Sequence, residues 1–317
     1  MPIPLVRTFG ALIAVALGAA SVTACGSGSE AEGAAGAVTL GFVNGATTEF
    51  HTCLQKAVTS EAAAGDATVI TANSNQNPAT ELANIEDMIS RQVDALIVQT
   101  VNVDALKGDI AKANAAKIPI FLTSVITSDT SGILGAVVVD LKQVGALDAG
   151  WIGTDAAGAP AQAGVIAGAP GAASDLLVSG FTGALPANVQ VVANQPGMFN
   201  RAKAQDVAEN MIQAHPDLKY AFVANEDMAF GALQAFQAAG KQVKIVTVNG
   251  ADQGLTAVKD GRFAATVANS ATVTGQLAVK NTLALLKQEN VGKIANTPIT
   301  LITKDNLSAA PKYCLES

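Results

Sequence analysis

VTLGFVNGATTEFHTCLQKAVTSEAAA, residues 38–64, holds one full cycle of the pattern that decides the fold. Val38–Val43 is a short uncharged run rich enough in β-branched and aliphatic side chains to be a strand. Small polar residues follow, and from Glu49 to Ala64 the apolar positions recur at helical spacing. The same alternation continues downstream. Strands are predicted at Ala67–Thr71, Ala95–Val98, Ile118–Leu122, Gly164–Ala167, Val189–Val192, Tyr220–Val223, Val243–Val248 and Phe263–Ala268. Helices are predicted at Pro78–Arg91, Val103–Ala115, Asn200–Ala214, Asp227–Ala239 and Thr272–Gln288. Nearly continuous apolar strands between amphipathic helices indicate parallel sheets covered on both faces. The pattern occurs twice, so the expected fold is α/β, with two doubly wound lobes.

Composition narrows the function. The 317 residues are 50% hydrophobic and 14% charged, which is well clear of disorder. Nineteen Lys and Arg against 26 Asp and Glu give a net charge of -7, so no basic face is available for nucleic acid. Two histidines and three cysteines leave little material for a transition-metal site, and neither metal nor cofactor is expected.

Residues 1–24 combine one charged side chain, Arg7, with an apolar run and then small residues, the layout of an export signal. Val22-Thr23-Ala24-Cys25 resembles the lipobox of bacterial lipoproteins, which implies that Cys25 is lipidated. Residues 25–37 read as a flexible tether. The expected location is extracytoplasmic, anchored to the membrane through lipid and not spanning it.

Ligands of open α/β sheets sit beyond the carboxyl ends of the strands. Six predicted strands end in Asn44, Gln99, Ser124, Asn225, Asn249 and Asn269. Asn and Ser also favour turns, the plainer account of any single exit. As a set, amides offer a donor and an acceptor together, which matches a neutral ligand rich in hydroxyls.

Longer segments carry a resemblance. Ser74–Asp87 (SNQNPATELANIED), Ala214–Asp217, Asn225–Leu233 and Asp260–Thr266 resemble the type I periplasmic binding proteins of the ribose-binding branch, over about Val38 to Lys304. These are non-catalytic receptors that close two lobes over a sugar and deliver it to an ABC permease. The resemblance implies ligand contacts from Asn44, Thr48, Phe50 and His51, then Gln99, Ser124 and Val125 in the first lobe. In the second lobe it implies Leu177, Phe199, Asn225, Val248, Asn249 and Asn269. Phe50 and Phe199 take the stacking positions. Ser124, Val125, Leu177 and Asn249 stand where the ribose receptor carries charged residues, so the pocket is expected to be uncharged. Ribose itself then fits less well than a small neutral polyol or pentose-like sugar. Little change in affinity is expected between about pH 5.5 and 8, apart from any contribution of His51.

The resemblance also implies a hinge of three crossings. The first lobe would take residues 38–139 plus 271–298, and the second 140–270 plus 299–306, followed by a tail, 307–317. Cys53 and Cys314 remain once Cys25 is set aside, and an exported chain invites a bridge between them, the alternative being two free thiols. The leading expectation is a monomeric, lipid-anchored receptor for a carbohydrate importer. The second is a sensor presenting the same ligand to a membrane kinase or chemoreceptor. The export signal argues against the effector domain of a repressor, and no G-x-S-x-G or H-E-x-x-H motif supports an enzyme.

Overall fold

The structure, a computed structural model, describes residues 37–316; the predicted leader, Cys25 and nearly all of the tether lie outside the described residues. The first half runs β1 (Thr39–Asn44), α1 (Glu49–Ala64), β2 (Thr68–Asn73), α2 (Pro78–Ser90), β3 (Ala95–Val98), α3 (Leu106–Ala115), β4 (Ile120–Ser124) and β5 (Gly135–Val138). There follow α4 (Leu141–Ala156), β6 (Ala161–Ala167), α5 (Ala172–Ala184), β7 (Val189–Pro196), α6 (Arg201–Ala214) and β8 (Leu218–Val223). Then come α7 (Glu226–Ala238), β9 (Lys244–Asn249), α8 (Asp252–Lys259), β10 (Ala265–Asn269), α9 (Ala271–Leu286), β11 (Ile294–Asn296) and β12 (Ile299–Ile302).

Two sheets result, with one strand order used twice: β2-β1-β3-β4-β5-β11 and β7-β6-β8-β9-β10-β12. Every pairing is parallel except β10 with β12. The chain passes between the sheets after β5, after β10 and between β11 and β12. The fold is thus two doubly wound α/β lobes joined by three crossings.

Side-chain alternation explains why the strands are buried on both faces. In the first sheet Leu40, Phe42, Ile97, Phe121 and Val137 join one apolar cluster, with α1 and α9. Their neighbours Val43, Leu96, Val98, Ile120, Leu122 and Ala136 join another, with α2 and α3. In the second lobe α4 and α5 meet at paired glycines. A Cβ on Gly180 would lie 1.9 Å from the Lys142 carbonyl, and one on Gly145 would lie 2.1 Å from the Leu177 carbonyl. That close approach fixes the backbone of Leu177.

Several elements were not among the predicted ones. β5 has four residues and β11 three, short enough to pass for loop. The small-residue start of α5 blurs its helical period, yet it forms because tertiary packing overrides propensity. Cys53 and Cys314 are joined in a disulfide 261 residues apart in sequence.

Asp148 of α4 has no solvent exposure, and among the described residues neither carboxyl oxygen has a hydrogen-bond partner. Burial raises its pKa well above the ordinary Asp value. An acid whose folded pKa lies above its unfolded one contributes stability that is complete below the unfolded value and is lost as pH rises toward the folded one. Asp148→Asn removes that loss. Thermal unfolding should therefore show variant and wild type nearly level at about pH 3.5 and a growing advantage for the variant toward neutrality. A constant difference across that range would contradict a neutral Asp148.

Candidate functional site

A cavity of about 320 Å3 lies where the carboxyl ends of both sets of strands meet. The first lobe lines it with Gly45, Thr48, Phe50, His51, Gln99, Thr100, Ser124 and Val125. The second contributes Ser174, Leu177, Phe199, Asn225, Val248, Asn249 and Asn269. No Asp, Glu, Lys or Arg is among the lining residues.

Asn44 is the expected contact that does not line the cavity. It shares a strand face with Leu40 and Phe42, and that face is covered by α1. Its Nδ2 therefore donates to the His51 carbonyl at 2.9 Å, tying the first turn of α1 to the end of β1. The backbone of the next residue, Gly45, reaches the cavity in its place.

Around Gln99 the hydrogen bonds determine a tautomer. Gly45 N–H can only donate, and it points at Gln99 Oε1 at 3.2 Å. His51 Nε2 lies 3.1 Å from the same oxygen, so that nitrogen must carry its proton. Nδ1 is then bare and accepts from Thr48 Oγ1 at 2.7 Å. Burial pushes the imidazole pKa down to about 4, against the opposing pull of the Gln99 bond, so His51 is neutral above mildly acid pH. The Gln99 Nε2 group is left free to donate.

The second-lobe amides are each committed differently. Asn225 caps α7, its Oδ1 accepting from Met228 N at 2.9 Å, which leaves its Nδ2 as the available group. Replacing Asn225 would therefore also cost about 1 kcal/mol of helix capping. Asn249 donates through Nδ2 to the Tyr313 hydroxyl at 2.5 Å and sits at φ 140°. Among the described residues Asn269, 6% exposed, has no partner for Oδ1, and Ser124, 7% exposed, has none for Oγ.

Ser124, Met198 and Phe199 also have left-handed backbones, at φ 69°, 59° and 50°. Strain of this kind gathers at ligand sites because the surroundings must enforce it. The Phe199 ring lies over Gly168, where an added Cβ would come within 2.1 Å of Cζ. Phe50 meets the His51 ring edge-on, with centroids 5.6 Å apart.

Residues that sequence reasoning missed hold the lining in place. Glu226 is 3% exposed; Oε1 accepts from Gly250 N at 2.9 Å and Thr266 Oγ1 at 2.7 Å, and Oε2 accepts from Ala251 N at 2.9 Å. Burial raises its pKa to about 7 despite these bonds, which confines the expected flat pH response to the lining residues themselves. Glu81 does the same in the first lobe, accepting from Thr100 Oγ1 and Val101 N, each at 2.7 Å. Val103, Val139 and Leu141 also line the cavity, and they pack with Val125 and Leu177 as one aliphatic patch. Their only signal was apolar character next to strand ends, shared with any core residue.

The family model for the periplasmic binding protein domain matches residues 40–290. The chain is 31% identical over 260 residues to the ribose import binding protein RbsB of Bacillus subtilis (strain 168), covering 80% of this chain and 83% of that protein. It is 27% identical to the xylitol-binding protein of Mycolicibacterium smegmatis, over 96% of this chain and 88% of the relative. Among solved structures, an ABC transporter solute binding protein from Mycobacterium smegmatis with bound glycerol superposes with a TM-score of 0.82 at 26% identity. That match covers 89% of this chain and all of the other. With the twice-used strand order and the cavity between the lobes, these matches make the chain a type I periplasmic binding protein of the ribose-binding branch.

Proposed function

We propose that this protein is an extracytoplasmic receptor that binds a small neutral sugar or polyol, of pentose, pentitol or tetritol size, and delivers it to an ABC permease by closing its two lobes. The observation that carries the reading is a pair of buried, unpartnered polar atoms, Ser124 Oγ and Asn269 Oδ1, in a cavity without charge. Buried polar groups normally find partners, and hydroxyls of a bound polyol would supply them. A carboxylate or phosphate would find no cation among the lining residues to pair with. The aliphatic patch around Leu177 suits the C–H edge of such a ligand, and Phe50 and Phe199 suit its faces. The xylitol named for one relative is a pentitol, and the glycerol bound to another is a smaller neutral polyol. Lipidation of Cys25 and action as a monomer complete the proposal.

A thermal-shift and calorimetry screen of D-ribose, D-arabinose, xylitol, erythritol and myo-inositol tests the ligand class. A bound compound at about 100 times its Kd should stabilise by about 2.7 kcal/mol. Silence from every neutral compound, with a response to sugar phosphates or uronates, would refute the reading. With a compound that responds, Asn269→Ala should weaken binding about ten- to a hundred-fold while leaving the unliganded melting temperature near wild type. Across about pH 5.5 to 8 the affinity profile of His51→Gln should parallel that of wild type, because the imidazole titrates near 4. A divergence of the two profiles in that window would show that His51 does charge there. Cys25→Ser, fractionated by ultracentrifugation, should move the protein from membrane to soluble fraction or leave it unprocessed; membrane retention with normal processing would exclude the lipid anchor.

A further inference from the structure

Residues 307–316 follow the last strand and join neither sheet, yet Tyr313 among them bonds a residue that lines the cavity. Tyr313 is 3% exposed and belongs to the apolar cluster that holds Leu54, Ala251 and Ala271, with Phe50 packed at its margin. Its hydroxyl accepts from Asn249 Nδ2 at 2.5 Å. Its carbonyl accepts from both Thr272 N and Thr272 Oγ1 at 3.1 Å, and the Lys312 carbonyl accepts from Ser270 Oγ at 2.5 Å. Ser270 and Thr272 stand at the crossing from β10 to α9. One residue beyond Tyr313, Cys314 is covalently bound to Cys53 of α1. The segment therefore grips the first lobe, a crossing, and a lining residue of the second lobe within three consecutive positions.

Asn249 needs such a grip. Its backbone lies at φ 140°, which side chains rarely adopt, and its carboxamide faces a cavity that offers it no other bond among the described residues. With Nδ2 held by Tyr313, the amide turns Oδ1 free as an acceptor. We propose that Tyr313 is a positioning residue of the ligand site. It fixes the Asn249 carboxamide, and the Cys53–Cys314 bond together with the Ser270 and Thr272 contacts fixes Tyr313. This rests on the reading of the cavity as a sugar or polyol site, and it makes the C-terminal segment a determinant of affinity.

The test uses 15N-labelled mature protein, wild type and Tyr313→Phe, with the Asn249 side-chain amide resonance assigned by its loss in Asn249→Ala. Without any sugar, Tyr313→Phe should shift that resonance clearly, and Cys53→Ser with Cys314→Ser should shift it in the same direction. An unchanged resonance in Tyr313→Phe overturns the proposal. Calorimetry with xylitol and with D-ribose as probes should show Tyr313→Phe binding roughly five- to thirty-fold more weakly. Adding Tyr313→Phe to Asn249→Ala should cost little more than Asn249→Ala alone. A lowered melting temperature with unchanged Kd would make Tyr313 merely structural and overturn the proposal. If neither probe binds, it is the ligand class that fails, and the resonance still decides the role of Tyr313.

Discussion

Glu226 and Glu81 place a carboxylate under each lobe's rim and spend it on the backbone of the loops that line the cavity. Strand ends are where a parallel sheet runs out of hydrogen-bond partners, so N–H groups such as those of Gly250, Ala251 and Val101 must be satisfied some other way. A carboxyl group has two oxygens and so accepts several donors at once. Gly254 makes this possible in the second lobe: a Cβ there would sit 2.0 Å from the Glu226 carboxyl carbon. Positions of Thr100, Val101 and Asn249 all follow from these two acids, although neither acid lines the cavity.

The chain thus keeps its acids behind the walls and presents amides, hydroxyls, aromatic rings and aliphatic edges to the cavity. That division has a physical rationale. A charge facing a small closed cavity would have to be desolvated each time the lobes shut. An amide or hydroxyl loses less water, and each matches a ligand hydroxyl in kind. Ser124 Oγ and Asn269 Oδ1 are buried in that lining without a partner among the described residues.

The fold was largely legible in the sequence because strand and helix periods alternate cleanly from Val38 onward. Strand-end polar residues pointed to the cavity for the same reason: parallel strands all end on one side. Asn44 stands off the cavity because one residue of phase separates the cavity side from the face under α1, as alternation from Phe42 indicates. The capping role of Asn225 was written in the acidic pair after it, a helix-start signature. Tyr313 could not be read locally, since its partner Asn249 is 64 residues away and only the folded chain brings them together. The buried positions of Glu81 and Glu226 were equally silent, because an acid in the first turn of a helix is ordinarily a surface residue.

The first lobe draws its closing parts from the far end of the described chain. Its sheet is closed by β11, its outer face is covered by α9, and its first helix is bonded to Cys314. During synthesis or export from the amino terminus, β1 to β5 emerge early but lack these parts until the whole second lobe has passed. The second lobe, contiguous from α4 to β10 and lacking only β12, can assemble sooner. The apolar face of α1 therefore lacks the cover that α9 gives it until residues 271–286 have been made. Apolar surface exposed in this way during synthesis is what chaperones cover.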